Sequence, residues 1–408
     1  MLKPHEHSPV GCAVSASDRN LVTAITELRQ VYNGETKMKV FVIVGTRPEA
    51  IKMAPVYKAL QNEDGLQPVL VSTGQHRQML DQVLDWFGLK PDHDLNLMAP
   101  NQTLSHVMSR AIAGLDDLIA SENPGAVLAQ GDTATVCAAA LASFHRSTPF
   151  GHVEAGLRTR NLAQPFPEEG YRQIASRVTH WHFCPTRRAV AALEAESVSG
   201  ERHLVGNTVV DALVHTAGRV EVPKTPLTRE HLVLITGHRR ENHGARFNDA
   251  FDAIATLAEN NRDVDFVYPV HLNPNVRDAA FERLAAIENM SLIEPVAYPE
   301  MVALMKRAAL ILTDSGGVQE EAPTFGVPVL VMRDATERQE AVEAGVCELV
   351  GVDKNRIMSR SKDILAAAKT NTLRGQKEHN PFGDGRAAER IAAILSGRTM
   401  APYDAPAR

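Results

Sequence analysis

From position 38 onward, short β-branched runs alternate with stretches of about 10–15 residues that carry a helical apolar period, the mark of βαβ units and a parallel sheet. Strands are expected at 39–44, 68–72, 126–129, 150–153 and 181–183, and helices at 48–60, 76–87, 104–119 and 133–144. Pro48 suits a first helical turn and Pro55 should bend that helix. The rhythm breaks at Gly206-Asn207-Thr208, and a Pro- and Thr-containing stretch over 221–230 leads into a second alternation. There the strands expected are 232–236, 265–269, 309–313, 328–331 and 347–350, and the helices 247–260, 276–287, 318–325 and 357–369. The fold class that follows is α/β, with two Rossmann-like doubly wound domains. They should occupy 38–205 and 206–384, and a closing helix within 385–408 should pack back on the first domain.

A chain of 408 residues is long enough for two such cores. Its 44% hydrophobic and 23% charged content is that of an ordinary globular protein. A net charge of −6 argues against nucleic acid or an acidic membrane as partner, and leaves room for a local basic pocket. Cys12, Cys137, Cys184 and Cys347 have neither metal-ligand nor redox spacing, so no metal is expected and a reducing, cytoplasmic setting fits. No apolar run approaches the ~20 residues of a membrane span. Residues 1–37 read as an extension with a short amphipathic stretch at 21–32, and they lack the features of a signal peptide.

In open α/β sheets ligands bind beyond the carboxyl ends of the strands. The unusual polar clusters fall there: Gly45-Thr46-Arg47-Pro48-Glu49, Gly74-Gln75-His76-Arg77, Gln130-Gly131-Asp132-Thr133 and His152-Val153-Glu154 in the first half. Gly237-His238-Arg239-Arg240-Glu241, His271-Leu272-Asn273 and Asp314-Ser315-Gly316-Gly317 do the same in the second. Two facing sheets would line one cleft with arginine, histidine and carboxylates, a place for an anion with proton chemistry beside it. Each cluster also has a plain reading. Asp132 could be a helix N-cap, although Thr133 would cap as well and leave the Asp132 carboxylate free. Glu168 and Glu169 could serve a helix first turn. The paired glycines 316 and 317 let backbone N–H groups approach an anion at a helix start, with Glu320 and Glu321 one turn on as acceptors for ribose hydroxyls.

Gly383-Asp384-Gly385-Arg386-Ala387-Ala388 matches G-x-G-x-x-A but follows Asn380-Pro381-Phe382 and not a strand, so it lacks the context of a dinucleotide fingerprint. With no Walker A motif either, no nicotinamide cofactor is expected.

The motifs GTRPEAIKMAP (45–55), QHRQMLDQVL (75–84), GDTATV (131–136), HVEAGLRT (152–159), PFPEE (165–169), GNTVVDAL (206–213), GHRREN (237–242), YPVHLNP (268–274), LTDSGGVQEEAP (312–323), VMRDATER (331–338) and NPFGDGRA (380–387) together resemble the non-hydrolysing bacterial UDP-N-acetylglucosamine 2-epimerases. The resemblance runs from about Met38 to Leu395. It implies the fold of B-type glycosyltransferases, a UDP-sugar in the interdomain cleft, a homodimer, and no added cofactor. The reaction implied is reversible epimerisation at C2 of UDP-N-acetylglucosamine, through loss of H2 and UDP to 2-acetamidoglucal and re-addition. That product would feed surface polysaccharide synthesis.

Residue by residue, Asp132, Glu154 and Glu168 match the family's catalytic carboxylates and His238 its essential histidine. Arg47 and Lys52 match phosphate-contacting positions, and Ser315, Gly316 and Gly317 the backbone clamp on the β-phosphate. Glu321 matches the ribose ligand and Arg338 a further cleft residue. Gln75, Gln78, Arg110 and His271 match a second, activating UDP-N-acetylglucosamine site. One departure is local: where the family reads x-Asn-Arg after the paired glutamates, this chain has Gly170-Tyr171-Arg172. Tyr171 keeps open an epimerase of a modified sugar such as a 2,3-diacetamido uronic acid. A hydrolysing epimerase, a glycosyltransferase of the same fold and a nucleotide-sugar sensor compete with it.

Overall fold

A computed structural model of the chain describes residues 37–74, 77–98, 102–237, 245–370 and 380–404. Its first half comprises β1 (Met38–Val44), α1 (Arg47–Gln61), β2 (Leu66–Ser72), α2 (Arg77–Phe87), β3 (His93–Asp94), α3 (Leu104–Glu122) and β4 (Ala126–Gln130). Next come α4 (Ala134–His145), β5 (Phe150–Val153), α5 (Glu168–Val178), β6 (Trp181–Cys184), α6 (Arg187–Ala195), β7 (Glu201–Leu204) and α7 (Thr208–Ala217). The second half comprises β8 (His231–Thr236), α8 (Ala245–Asn260), β9 (Val264–Pro269), α9 (Pro274–Leu284), β10 (Met290–Ile293), α10 (Tyr298–Arg307) and β11 (Leu310–Thr313). It closes with α11 (Gly316–Glu321), β12 (Val329–Val331), α12 (Gln339–Glu343), β13 (Cys347–Leu349), α13 (Lys354–Lys369) and α14 (Ala387–Leu395).

The strands form two parallel sheets, ordered β3-β2-β1-β4-β5-β6-β7 and β10-β9-β8-β11-β12-β13. Both reverse direction of growth at their first strand, so each has a switch point, between β1 and β4 and between β8 and β11. The inner strands are largely apolar because helices cover both faces. Along β1, Val40, Val42 and Val44 join the core under α1 and α2, while Phe41 and Ile43 join the core under α3 and α4. At the start of α1, Thr46 is the N-cap and the Glu49 carboxylate accepts from the N–H groups of Gly45 (2.6 Å) and Thr46 (2.8 Å). Pro55 lies inside this helix. Thr133 does cap α4, accepting from the Val136 N–H, which leaves Asp132 outside the cap.

The strands missing from the sequence expectation, β3, β7 and β10, are short. β3 and β7 have no fully buried residue, and all three close a sheet edge. The helix expected at 318–325 begins two residues earlier and turns into a 3-10 turn over Ala322–Phe325, where Pro323 removes an N–H.

One apolar cluster is shared between the sheets. It joins Val40, Met53 and Leu60 with Val209 and Leu213 of α7, Leu232 and Leu234 of β8, and Val302 and Met305 of α10. α14 packs on α1 and α7. At the fingerprint-like Gly383–Ala388 stretch, the anion at the start of α14 comes from within the chain. Asp211 accepts there from the N–H groups of Ala387 (3.2 Å) and Ala388 (2.8 Å). Just before it, Asn380 donates to the Glu320 carbonyl at 2.7 Å, and Tyr403 donates to the Asn380 carbonyl at 2.6 Å. The chain's return is thereby tied to α11. Among the described residues no helix is long and apolar enough to cross a membrane.

Candidate active site

Elements that follow β1, β4, β5 and β11 bring charged groups of the two sheets together. Lys52, one turn into α1, places its Nζ 2.7 and 2.8 Å from the two Glu154 oxygens and 3.3 Å from Glu320 of α11. The side chains of Lys52, Glu154 and Glu320 are 12%, 5% and 2% exposed. This ammonium therefore joins the two sheets. Burial alone would push Lys52 down, but Glu154 and Glu320 outweigh it and hold the ammonium above the ordinary lysine value.

Glu154 sits at φ +65°, the left-handed region that costs a non-glycine residue about 1–3 kcal/mol. Its carboxylate also accepts from Gln130 and from Asn207 Nδ2 at 3.1 Å. Together with Lys52 these donors fix a conformation that the backbone alone disfavours. Arg338 donates to Glu320 through Nε at 2.9 Å, and its guanidinium lies over Gly316: a Cβ there would stand 2.9 Å from Arg338 Cζ. A side chain at that position would push the guanidinium from where it lies.

Asp132 follows β4 with a third of its side chain open to the cleft. Burial raises its pKa, Arg172 opposes the rise at 3.2 Å, and Glu168 adds to it. Glu168 opens α5 and keeps one buried oxygen without a partner among the described residues. The paired glutamates form a helix first turn, and Glu168 lies close enough to Asp132 to raise its pKa. Beneath them His152 bonds the Gly131 carbonyl at 2.7 Å, and burial pushes its imidazole down to about 3, so it stays neutral.

Ser315 precedes α11 as its N-cap, and Gly316 and Gly317 form its first turn. Burial raises Glu321 to about 7 against a hydrogen bond from Tyr298 at 3.0 Å, with Glu320 adding to the rise. Arg47 is exposed at the start of α1 and near enough to Glu321 to oppose that rise. The sign of the linkage is fixed. The folded state binds this proton more tightly than the unfolded one, so Glu321 contributes most below its ordinary 4.5 and loses that contribution as pH rises through about 7. Glu321→Gln keeps an acceptor for Tyr298 and does not titrate. Its stability relative to wild type should rise between about pH 5 and pH 8, as read by denaturant unfolding at several pH values. A gap that stays constant with pH would refute this assignment.

Of the remaining sequence candidates, Arg110 on α3 donates to the Leu97 carbonyl at 2.8 Å and the Asn96 carbonyl at 3.5 Å, holding the loop after β3. His271 is exposed beyond β9, with its Nδ1 accepting from the Asn273 N–H at 3.1 Å. His238 and Gln75 lie outside the described residues, as does the side chain of Gln78, whose backbone belongs to α2. Sequence reasoning did not find Asn207 and Gln130 as holders of Glu154, Glu320 as partner of both cleft cations, or Arg172 as partner of Asp132. All four lie in or beside the family-like motifs, but their pairings span the fold.

The family model for UDP-N-acetylglucosamine 2-epimerase matches residues 58–396. The UDP-N-acetylglucosamine 2-epimerase of Escherichia coli K12 is 44% identical over 375 residues, which is 89% of this chain and all of that protein. The crystal structure of the UDP-GlcNAc 2-epimerase of Neisseria meningitidis bound to UDP-GlcNAc superposes with a TM-score of 0.82 at 42% identity, covering 88% of this chain and 100% of that one. A glycotransferase of kitacinnamycin, at 13% identity and TM-score 0.59, covers 88% of this chain and 99% of its own and shares the fold. The two facing parallel-sheet units are thus those of the B-type glycosyltransferase fold.

Proposed function

Since this chain belongs to the UDP-N-acetylglucosamine 2-epimerase family, we propose that it interconverts UDP-N-acetylglucosamine and UDP-N-acetylmannosamine by elimination and re-addition of UDP. The observation that carries this reading is the convergence of Asp132, Glu168 and Glu154 with the cations Lys52 and Arg338 in one cleft between the switch points.

C2 of an N-acetylhexosamine has no adjacent carbonyl, so its proton is not acidic. Departure of UDP from C1 supplies the driving force: a base takes H2, the C1–O bond breaks, and a C1=C2 double bond forms. Return of the proton to the opposite face, with UDP rejoining C1, gives the other epimer. Such a reaction needs acid–base groups around the ring and fixed positive charge where the diphosphate leaves. Asp132 and Glu168 fit the first role, being near one another at the cleft. Lys52, Arg338 and Arg47 fit the second, with the N–H groups after Ser315, at Gly316 and Gly317, for the β-phosphate and Glu321 for the ribose. His238 is assigned to the departing diphosphate on the resemblance of its motif alone.

Glu154 accepts hydrogen bonds from three side chains. That favours a role in holding Lys52 toward the phosphates over a role as a mobile proton carrier. The same reading carries a homodimer, and a second UDP-N-acetylglucosamine bound near Gln75, Gln78, Arg110 and His271 as activator. Tyr171 keeps the modified-sugar reading in play: it is partly buried on α5, and burial raises its phenol, with Cys137 and Glu168 adding to the rise.

Proton NMR of the protein with UDP-N-acetylglucosamine in D₂O tests the proposal. The expected result is a UDP-linked manno species carrying deuterium at C2. Free N-acetylmannosamine with UDP would assign hydrolysis instead. Turnover only of a uronic acid derivative would assign the modified sugar.

A further inference from the structure

Arg172 is buried on α5, with its side chain 6% exposed, and it joins two carboxylates that no local pattern connects. Its Nη1 lies 3.2 Å from Asp132 Oδ2, and its Nη2 lies 3.1 Å from Glu169 Oε2. Glu169 is itself fully buried. It accepts from the N–H groups of Thr159 (3.0 Å) and Arg160 (3.1 Å) and from Gln173 Nε2 (2.9 Å). Glu169 is thus the anchor of the segment that leaves β5 after Glu154 and returns at Glu168. The guanidinium fork spans from that anchor to the end of β4.

We propose that Arg172 is a positioning residue: it aims the Asp132 carboxylate into the cleft and locks it to the segment that carries Glu168, so that the two acid–base groups face the sugar as one unit. This rests on the epimerase reading above and deepens it. Two carboxylates brought together in a half-buried cleft repel, and a cation is needed to keep the pair close. A lysine would keep the charge but not the two separate nitrogens, Nη1 and Nη2, that here stand beside Asp132 and Glu169.

Among the described residues, the charged groups that act on Asp132 come from three elements. Arg172 and Glu168 come from α5, Lys52 from α1 and Arg338 from the segment before α12. His152 lies beneath the Gly131 peptide and is neutral. Burial raises the Asp132 pKa and Arg172 is the largest opposing charge. Removing that charge must raise Asp132 further. Whether Asp132 works as base or as acid, the limb of the pH profile that it governs then moves to higher pH.

The experiment measures kcat and KM against pH for wild type, Arg172→Met and Arg172→Lys, with thermal unfolding recorded for each. For Arg172→Met the expected result is a kcat lower by about 10- to 100-fold, a KM close to wild type, and a limb displaced upward by about one pH unit or more. A fall in kcat with the limb unmoved overturns the proposal, because a merely structural arginine would give that result. Should Arg172→Met fail to fold, Arg172→Lys decides. The limb is then expected within a few tenths of wild type, since the charge is kept, with kcat down about tenfold from the lost fork. Native kcat in Arg172→Lys overturns the proposal. A wild-type protein inactive on the sugar would instead sink the epimerase reading, and this inference with it.

Discussion

Replacing Lys52 by methionine should lower turnover by about 10²- to 10³-fold and the unfolding free energy by about 3–5 kcal/mol. Both losses have one source. Lys52 is the cation that touches Glu154 of the first sheet and Glu320 of the second, at 2.7 and 3.3 Å, and both carboxylates are buried. Methionine matches the aliphatic stem, so packing is largely retained. Two anions are then left with their remaining donors. For Glu320 these are Arg338, and for Glu154 the neutral amides of Gln130 and Asn207. Glu154 is affected more, because its left-handed backbone is held partly by the ion pair. Urea unfolding and steady-state kinetics measure the two effects. Lost turnover with native stability would mean that water replaces the ammonium and that the pair is not structural. Unchanged turnover would remove Lys52 from the phosphate clamp.

The second large effect is expected at Asp132. Asp132→Asn should lose about 10²- to 10⁴-fold in turnover while still binding UDP, as measured by calorimetry. The side chain is a third exposed and pairs with Arg172 in a partly solvated setting, so little stability should be lost. The variant cannot titrate, and the limb of the pH profile attributed to Asp132 should vanish with it. It also separates an enzyme from a sensor: a protein that only reports the nucleotide sugar would keep its function. Retained epimerisation would transfer the proton chemistry to Glu168 alone.

What the sequence disclosed followed from how it is buried. β1, β4, β5, β8 and β11 lie inside their sheets with helices on both faces, and such strands appear as unbroken apolar runs. His93–Asp94 and Glu201–Leu204 lie at edges, where no residue is fully buried and no apolar run forms. Asp132, Glu154 and the Ser315–Gly317 turn lie just beyond strand ends, where the sequence pattern puts them, whereas Glu168 opens α5 and was singled out only through the resemblance of its motif. The partners of these residues were not legible. Lys52 meets Glu320 across 268 positions and Arg172 meets Asp132 across 40. Those distances are set by how two domains and a long loop pack, and no periodicity within a segment encodes them. The Asp211 carboxylate at the start of α14 shows the converse. A fingerprint-like sequence can be answered from within the protein, its N–H groups already taken by a side chain.

The apolar cluster that runs from β1 through α7 and α10 to β8 has a mechanical consequence. Two units joined only by a linker could swing freely, and each would survive alone. Here opening the cleft shears a packed interior, where side chains move between discrete rotamers and resist continuous sliding. The halves should therefore melt together in one calorimetric transition. If the proposed elimination holds, solvent access to the glycal is governed by a stiff joint far behind the reacting carbons, and a cavity carved at Leu213 should be felt as leakage of the intermediate.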